Sequence, residues 1–297
     1  VPRFIELVQT DAAGTRDPAD LPVELPYHLA PRDILRCVED LHQLLHDLNT
    51  QLDDKGYERL EELLDPAGFS GLMSRAVVDN IHRQSRALDR NEYHNGYPDL
   101  VPHGVYPQNK AQHGDRGGLE VKASRYDGSW QSHGPRAGWF CVVQFEIDDD
   151  EDKALKDREP TRIRAVMIAE LTKDDWSWQP AKEDRIRSGT ASVKVTGRYK
   201  LRAGAVWVDP DYEDEHQRLL SRAKLESWAE SRDEAVLAYF TTHPDDEVKK
   251  QDVIDWLAAE HGLESDDIKG RVGTGITNLV KTGQVERVKP GVFQLTP

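Results

Sequence analysis

The residues of this chain best placed to do chemistry are Asp99, in Tyr97-Pro98-Asp99-Leu100, and Glu120 and Lys122, in Leu119-Glu120-Val121-Lys122. Glu120 follows Asp99 by 21 positions. Two carboxylates and an ammonium group suit metal-assisted hydrolysis. Cleaving a phosphodiester calls for a divalent cation that activates water and offsets charge on the phosphate. Mg²⁺ is a hard cation held by one or two carboxylates while it keeps several waters. Asp99 and Glu120 supply those carboxylates if their strands are neighbours. Alternate residues of a strand share a face, so Glu120 and Lys122 project together while Val121 turns into the opposite side. From there Lys122 can orient the attacking water or offset developing negative charge.

Short spacings of this kind recur by chance. The chain holds five Asp/Glu-x-Lys strings, the others being Asp53–Lys55, Glu151–Lys153, Glu247–Lys249 and Asp267–Lys269. Of these, the first lies near a helix end, the second in an acidic run, and the last two in helical segments. Glu120–Lys122 alone sits in an apolar, strand-like run with a turn-rich segment and a Pro-Asp before it. The plain alternative is a surface aspartate and a salt bridge along one strand.

The elements that must position these groups follow from the pattern of apolar residues. Residues 1–30 are rich in Pro, Asp and Ala without helical period and read as an extended arm. Ile34, Val38, Leu41, Leu45, Leu48 and Leu52 recur at spacings of 4, 3, 4, 3 and 4, a helix with a heptad-like seam. That seam serves either its own domain's core or a dimer contact. A short helix at Tyr57–Leu64 stops at Asp65-Pro66. Ser70–Leu88 reads as a helix with Leu72, Met73, Ala76, Val77 and Ile81 on one stripe. Asn91–Gly118 reads as a strand edge and a long loop. Strands are expected at Leu119–Ser124, Trp139–Ile147 and Ile163–Leu171, with Asp148–Pro160 as a solvated acidic excursion. Ala191–Val208 reads as a two-stranded ribbon turning near Arg202-Ala203-Gly204. Asp211–Ser231 reads as a charged helical connector. Beyond Arg232 come three short helices and a hairpin, Val285–Leu295, around Lys289-Pro290-Gly291.

The order helix, Pro-Asp, Glu-x-Lys strand, further strands resembles the PD-(D/E)xK nuclease superfamily, which includes many restriction endonucleases. The resemblance covers roughly residues 68–208. The closing unit, with its step Leu279-Val280-Lys281-Thr282-Gly283-Gln284-Val285 from third helix to hairpin, resembles a winged-helix domain. Together these imply an α/β (α+β) chain: a restriction-endonuclease-like mixed sheet flanked by helices in residues 1–227, and a small winged-helix domain in 228–297. They imply Asp99, Glu120 and Lys122 as catalytic residues. The metal, Mg²⁺ with Mn²⁺ able to substitute, would be held by Asp99, Glu120 and the Val121 carbonyl. Many members add an acid from the helix before the Pro-Asp strand; of Asp79, Asp89 and Glu92, Glu92 is favoured. The chain departs from the family where the usual helix between later strands gives way to Asp148–Pro160. The activity implied is endonucleolytic cleavage of double-stranded DNA, as in a restriction enzyme whose winged helix reads target sequence or base modification. The alternatives are a non-catalytic winged-helix regulator and a structure-specific repair or junction nuclease.

DNA contact needs local positive charge. Lys194, Arg198, Lys200 and Arg202 crowd the expected ribbon, the last three alternating onto one face. With Lys110, Arg116, Arg125 and Arg136 they form a basic track, or else a solvated strand face. In the closing unit Lys269, Arg271, Thr274, Thr277, Asn278 and Lys281 lie on the helix that a winged-helix domain sets in the major groove. Arg287 and Lys289 lie on its hairpin. A protein-contacting unit is the other reading.

Composition narrows the classes further. The chain has 297 residues, 39 basic against 54 acidic, for a net charge of −15. Mean hydropathy is −0.71, and no apolar run approaches the ~20 residues of a membrane span. Recurrent amphipathic segments argue against disorder. Cys37 and Cys141 are the only cysteines, so neither a disulfide scaffold nor a cysteine-rich zinc site is expected, and a reducing cytoplasm fits. The histidines His94, His103, His113 and His133 lack paired-ligand spacing. No signal-peptide pattern is visible at the N-terminus. The acid excess runs against the usual DNA-binding balance, although binding depends on the local field. Runs such as Asp148-Asp149-Asp150-Glu151-Asp152 resemble the surfaces of proteins from salt-loving organisms; an ordinary acidic protein is the alternative.

Overall fold

The computed structural model describes residues 2–128, 130–180, 189–244 and 246–296. The chain divides into two units, Val1–Leu219 and Leu220–Pro297.

The first unit begins with an arm of short 3₁₀ turns and helix α1 (Pro31–Asp54). Pro31 occupies the first helical position, and the Asp33 carboxylate accepts the Ala30 backbone N–H at 2.9 Å. After α2 (Leu60–Leu63) comes α3 (Pro66–Gln84), where the Asp65 side chain caps the Gly68 N–H at 2.6 Å. The remaining elements in chain order are β1 (Leu88–Arg90), β2 (Leu100–Pro102), β3 (Leu119–Ser124), β4 (Gln131–Ser132), β5 (Gly138–Glu146), β6 (Arg162–Leu171), β7 (Trp176–Gln179), β8 (Thr190–Val193), α4 (Val195–Ala203), β9 (Ala205–Val208) and α5 (Glu213–Glu230). The division between units falls within α5.

The central sheet has the order β1-β2-β3-β5-β6-β9. It is mixed: β3 runs parallel to β5, while the other neighbours are antiparallel. Its two faces carry different loads, because successive side chains alternate. One face, with Leu119, Val121, Cys141, Val143 and Ile168, packs against α1 and α3. The other, with Phe140, Val142, Ala165, Met167 and Ala169, packs beneath Trp130, Trp176, Ala191, Val193 and Leu201. The latter group includes residues of α4 and of a second sheet ordered β4-β8-β7. Each fully buried large side chain contributes about 1.5–3 kcal/mol of transfer free energy. The α1 seam is part of this construction. Ile34, Val38, Leu41 and Leu45 are buried in the chain's own core, so they offer no dimer surface.

Residues 191–208 are not a ribbon. Val195–Ala203 is helical and connects β8 to β9. The alternation Val195, Gly197, Tyr199, Leu201 imitates the period of a strand. Burial follows another rule: Val195, Gly197, Leu201 and Arg202 are the buried positions of α4. Gly197 permits the close fit, since a Cβ there would lie 2.7 Å from Val193 Cγ1 and 3.0 Å from Asp175 Cβ. Arg198, Lys200 and Arg202 therefore do not share a strand face.

The second unit holds α6 (Arg232–Thr242), β10 (Val248–Lys249), α7 (Lys250–His261), α8 (Ser265–Lys281), β11 (Val285–Lys289) and β12 (Val292–Leu295), its strands ordered β10-β12-β11. Val236, Phe240, Val253, Leu257, Ile268, Val272, Ile276 and Phe293 form its core, joined by Trp228 from α5. Gly262, at φ +57°, ends α7 in the left-handed conformation. Among the described residues, no helix is long and apolar enough to cross a membrane.

Candidate active site

β3 presents Glu120 and Lys122 on the same face, and the Lys122 Nζ donates to Glu120 Oε1 at 2.6 Å. Val121, between them, is buried among the residues of the α1–α3 side. Asp99 stands immediately before β2, whose Leu100 pairs antiparallel with Leu119. Continuing that register sets Asp99 opposite Glu120. Asp99 Oδ2 accepts the Val121 backbone N–H at 2.9 Å, so this carboxylate is aimed by β3 itself. In a strand the N–H and C=O of one residue point to the same side. The Val121 carbonyl therefore lies on the Asp99 edge of β3.

Electrostatics tie the three groups together. Glu120 is 7% exposed. Its carboxyl is pushed up to about 7, first by burial and next by the charge of Asp99, while Lys122 and Arg136 pull it down. A carboxyl that close to another carboxylate and that dry resists ionisation unless a cation compensates. Burial likewise raises the Tyr97 hydroxyl, with the Glu120 charge adding to it. Arg136 sits over the Tyr97 ring, its Cζ 4.1 Å from the centroid.

Two backbone devices hold the strand in place. Ser74 of α3 accepts the Ala123 N–H at 3.0 Å. Gly118, at φ +140°, lets the Pro98–Leu100 segment close against the start of β3. A Cβ at Gly118 would fall 2.2 Å from Pro98 Cγ and 2.3 Å from the Leu100 oxygen. Gly118→Ala is therefore expected to cost about 1–3 kcal/mol through strained backbone, read as a lower urea midpoint, and to separate Asp99 from Glu120.

The supplementary acids have contacts of their own. Asp79 pairs with Arg90 at 2.8 Å, and Asp89 with His103 at 2.8 Å. Glu92 is exposed, with its backbone N–H on the Asn109 oxygen. The largest charge effects on Glu120 come from Asp99, Lys122 and Arg136. Among the described residues, no three His, Cys, Asp or Glu side chains gather as a metal cage. Two carboxylates and a carbonyl remain, a donor set that suits a cation retaining waters.

Three residues of the expected basic track are paired with aspartates. Arg125 ends on Asp149, Lys200 on Asp175 at 2.6 Å, and Arg202, 3% exposed, on Asp127. Lys194 is exposed at the N-cap of α4, and Arg198 is half-buried beside Gly128. In the second unit Lys269 and Lys281 are exposed on α8. Arg271 instead turns back, its Nη1 donating to the Leu225 oxygen of α5 at 3.3 Å. Sequence reasoning placed Arg136 among general basic residues; its position beside Tyr97 and Glu120 carries no spacing signal.

No protein-family model matches the chain, and no curated protein matches it either.

Proposed function

We propose that this chain is a divalent-metal-dependent DNA endonuclease of restriction type, hydrolysing phosphodiester bonds in double-stranded DNA. One observation carries the reading: Asp99 and Glu120 face each other across β2 and β3, with the Lys122 ammonium on Glu120. A surface aspartate and a simple strand salt bridge have no reason to share a partly desolvated spot with a second carboxylate.

The residues present fit Mg²⁺ or Mn²⁺. Asp99, Glu120 and the Val121 carbonyl are hard oxygen donors, and Glu120 ionises fully near neutral pH only with added positive charge. When bound, the metal would supply Lewis acidity toward water and phosphate. The chain's own groups do the positioning. Asp99 is oriented by the Val121 N–H. Glu120 is held by Lys122, whose ammonium also orients the attacking water and stabilises charge growing on the phosphate. The second unit serves, in this reading, as a winged-helix reader of sequence or base modification, with Lys269 and Lys281 of α8 toward DNA.

The test is incubation of methylated, unmethylated and branched DNA with Mg²⁺ or Mn²⁺ over a wide range of salt, beside Lys122→Ala. Cutting by the wild type alone is the expected outcome. A preference for branched substrates would turn the reading to a junction nuclease. Cutting by both proteins, or by neither at any salt, would leave a non-catalytic DNA-binding regulator as the better account.

A further inference from the structure

Arg136 differs from the cations around it. Arg125, Lys200 and Arg202 each end on an aspartate, whereas Arg136 makes no ion pair among the described residues. Its guanidinium lies on the face of Tyr97 at 4.1 Å, an arrangement that attracts a cation to the ring. The backbone beneath is anchored twice. Trp176 Nε1 donates to the Arg136 oxygen at 2.7 Å, and the Tyr97 hydroxyl donates to the Ala137 oxygen at 3.3 Å. Tyr97, Phe140 and Trp176 form a continuous aromatic shelf, with centroids 6.5 and 5.2 Å apart. Phe140 is the register partner of Glu120. The shelf thus runs from the half-buried guanidinium to the catalytic strand, and the Arg136 charge acts on Glu120. A guanidinium stacked on a ring keeps its in-plane N–H donors free. That fork matches two oxygens of a phosphate.

We propose that Arg136 is a further catalytic residue, one that grips the non-bridging oxygens of the scissile phosphate and holds the charge that grows on them. The assignment rests on the nuclease reading. Water attacks phosphorus and forms one P–O bond while one bridging P–O bond breaks; the water's proton passes to solvent, and the leaving oxygen takes a proton from solvent. Arg136 stays protonated throughout.

The test measures single-turnover cleavage with Mg²⁺ by the full chain and its Arg136→Ala and Arg136→Lys variants, with DNA binding measured in Ca²⁺ and a thermal melt of each. Arg136→Ala is expected to slow cleavage about 10²–10³-fold, the usual loss for one transition-state donor, with an unchanged melt. Arg136→Lys keeps the charge without the fork and remains markedly slow. Free guanidinium ion should restore much of the Arg136→Ala rate, which a structural role would not allow. Wild-type cutting with an unimpaired Arg136→Ala variant overturns this assignment alone, as does a loss that tracks a lowered melt and ignores guanidinium. A wild type that cuts no DNA with either metal removes the nuclease reading and the clamp with it.

Discussion

Lys122→Ala is expected to slow single-turnover DNA cleavage about 10²–10⁴-fold, the range general acid–base groups supply, while DNA binding in Ca²⁺ changes only a few-fold. The Lys122 side chain is 33% exposed, so its truncation opens no core cavity and the fold should persist. What changes is the site. Lys122 holds the Glu120 proton affinity down by both charge and hydrogen bond. Without it, the buried Glu120 faces Asp99 with only the Arg136 charge to offset them, and the carboxyl binds its proton more tightly still. The rate–pH profile of the residual activity should therefore move to higher pH. Lys122→Arg keeps a cation but replaces a compact ammonium with a broad planar fork, and should recover little. A Lys122→Ala enzyme within tenfold of wild type at every pH would remove the lysine from the chemistry.

Glu120→Gln should abolish cleavage and yet stabilise the metal-free protein at pH 8. The Glu120 carboxyl titrates near 7 in the folded chain, against about 4.3 for an unperturbed glutamate. A folded-state value raised above the unfolded one means that the native state holds its proton longer. The stability is whole below about pH 4.3 and is lost as pH rises through about 7. At 1.36 kcal/mol per unit the loss is about 4 kcal/mol, an order-of-magnitude figure. Glutamine cannot ionise, and its side-chain oxygen can still accept from Lys122. His42 and His216, both lowered to about 4 by burial, titrate in wild type and variant alike and cancel in the difference. Urea unfolding of both proteins at pH 5 and pH 8 reads it: the Gln variant should gain on wild type as pH rises. Mg²⁺ should then stabilise wild type at pH 8 far more than the variant. Equal responses of the two proteins to pH and to Mg²⁺ would mean that Glu120 neither carries a raised proton affinity nor receives the cation.

The long helices and central strands are legible because a single period rules each. Ile34 to Leu45 repeats at helical spacing, and the α3 residues Met73, Val77 and Ile81 repeat in the same way; all are buried. Residues 119–124 and 138–146 are apolar enough to read as strands lying inside a sheet. α4 resembles a strand in the sequence because Val195, Gly197, Tyr199 and Leu201 satisfy the strand period while the fold uses the helical one. Short segments of mixed polarity are settled by what they pack against. The pairing of Arg125, Lys200 and Arg202 within the basic track is hidden from the sequence for a related reason. Charge is visible in a sequence, but its neutralisation is not: Asp127, Asp149 and Asp175 come from loops and turns whose approach to Arg202, Arg125 and Lys200 depends on tertiary folding.

By itself, the order of amino acids determined which groups were available and that Glu120 and Lys122 would share a face. That follows from local chain geometry, in which side chains two apart in a strand must point the same way. Only the tertiary structure decided that Asp99 stands opposite Glu120, because the intervening loop can close in many ways and the β2–β3 register selects one. It also decided that Arg202 ends on Asp127 while Arg136, which makes no ion pair among the described residues, acts on Glu120. Partnership between distant residues depends on distance in space, and no spacing along the chain encodes it.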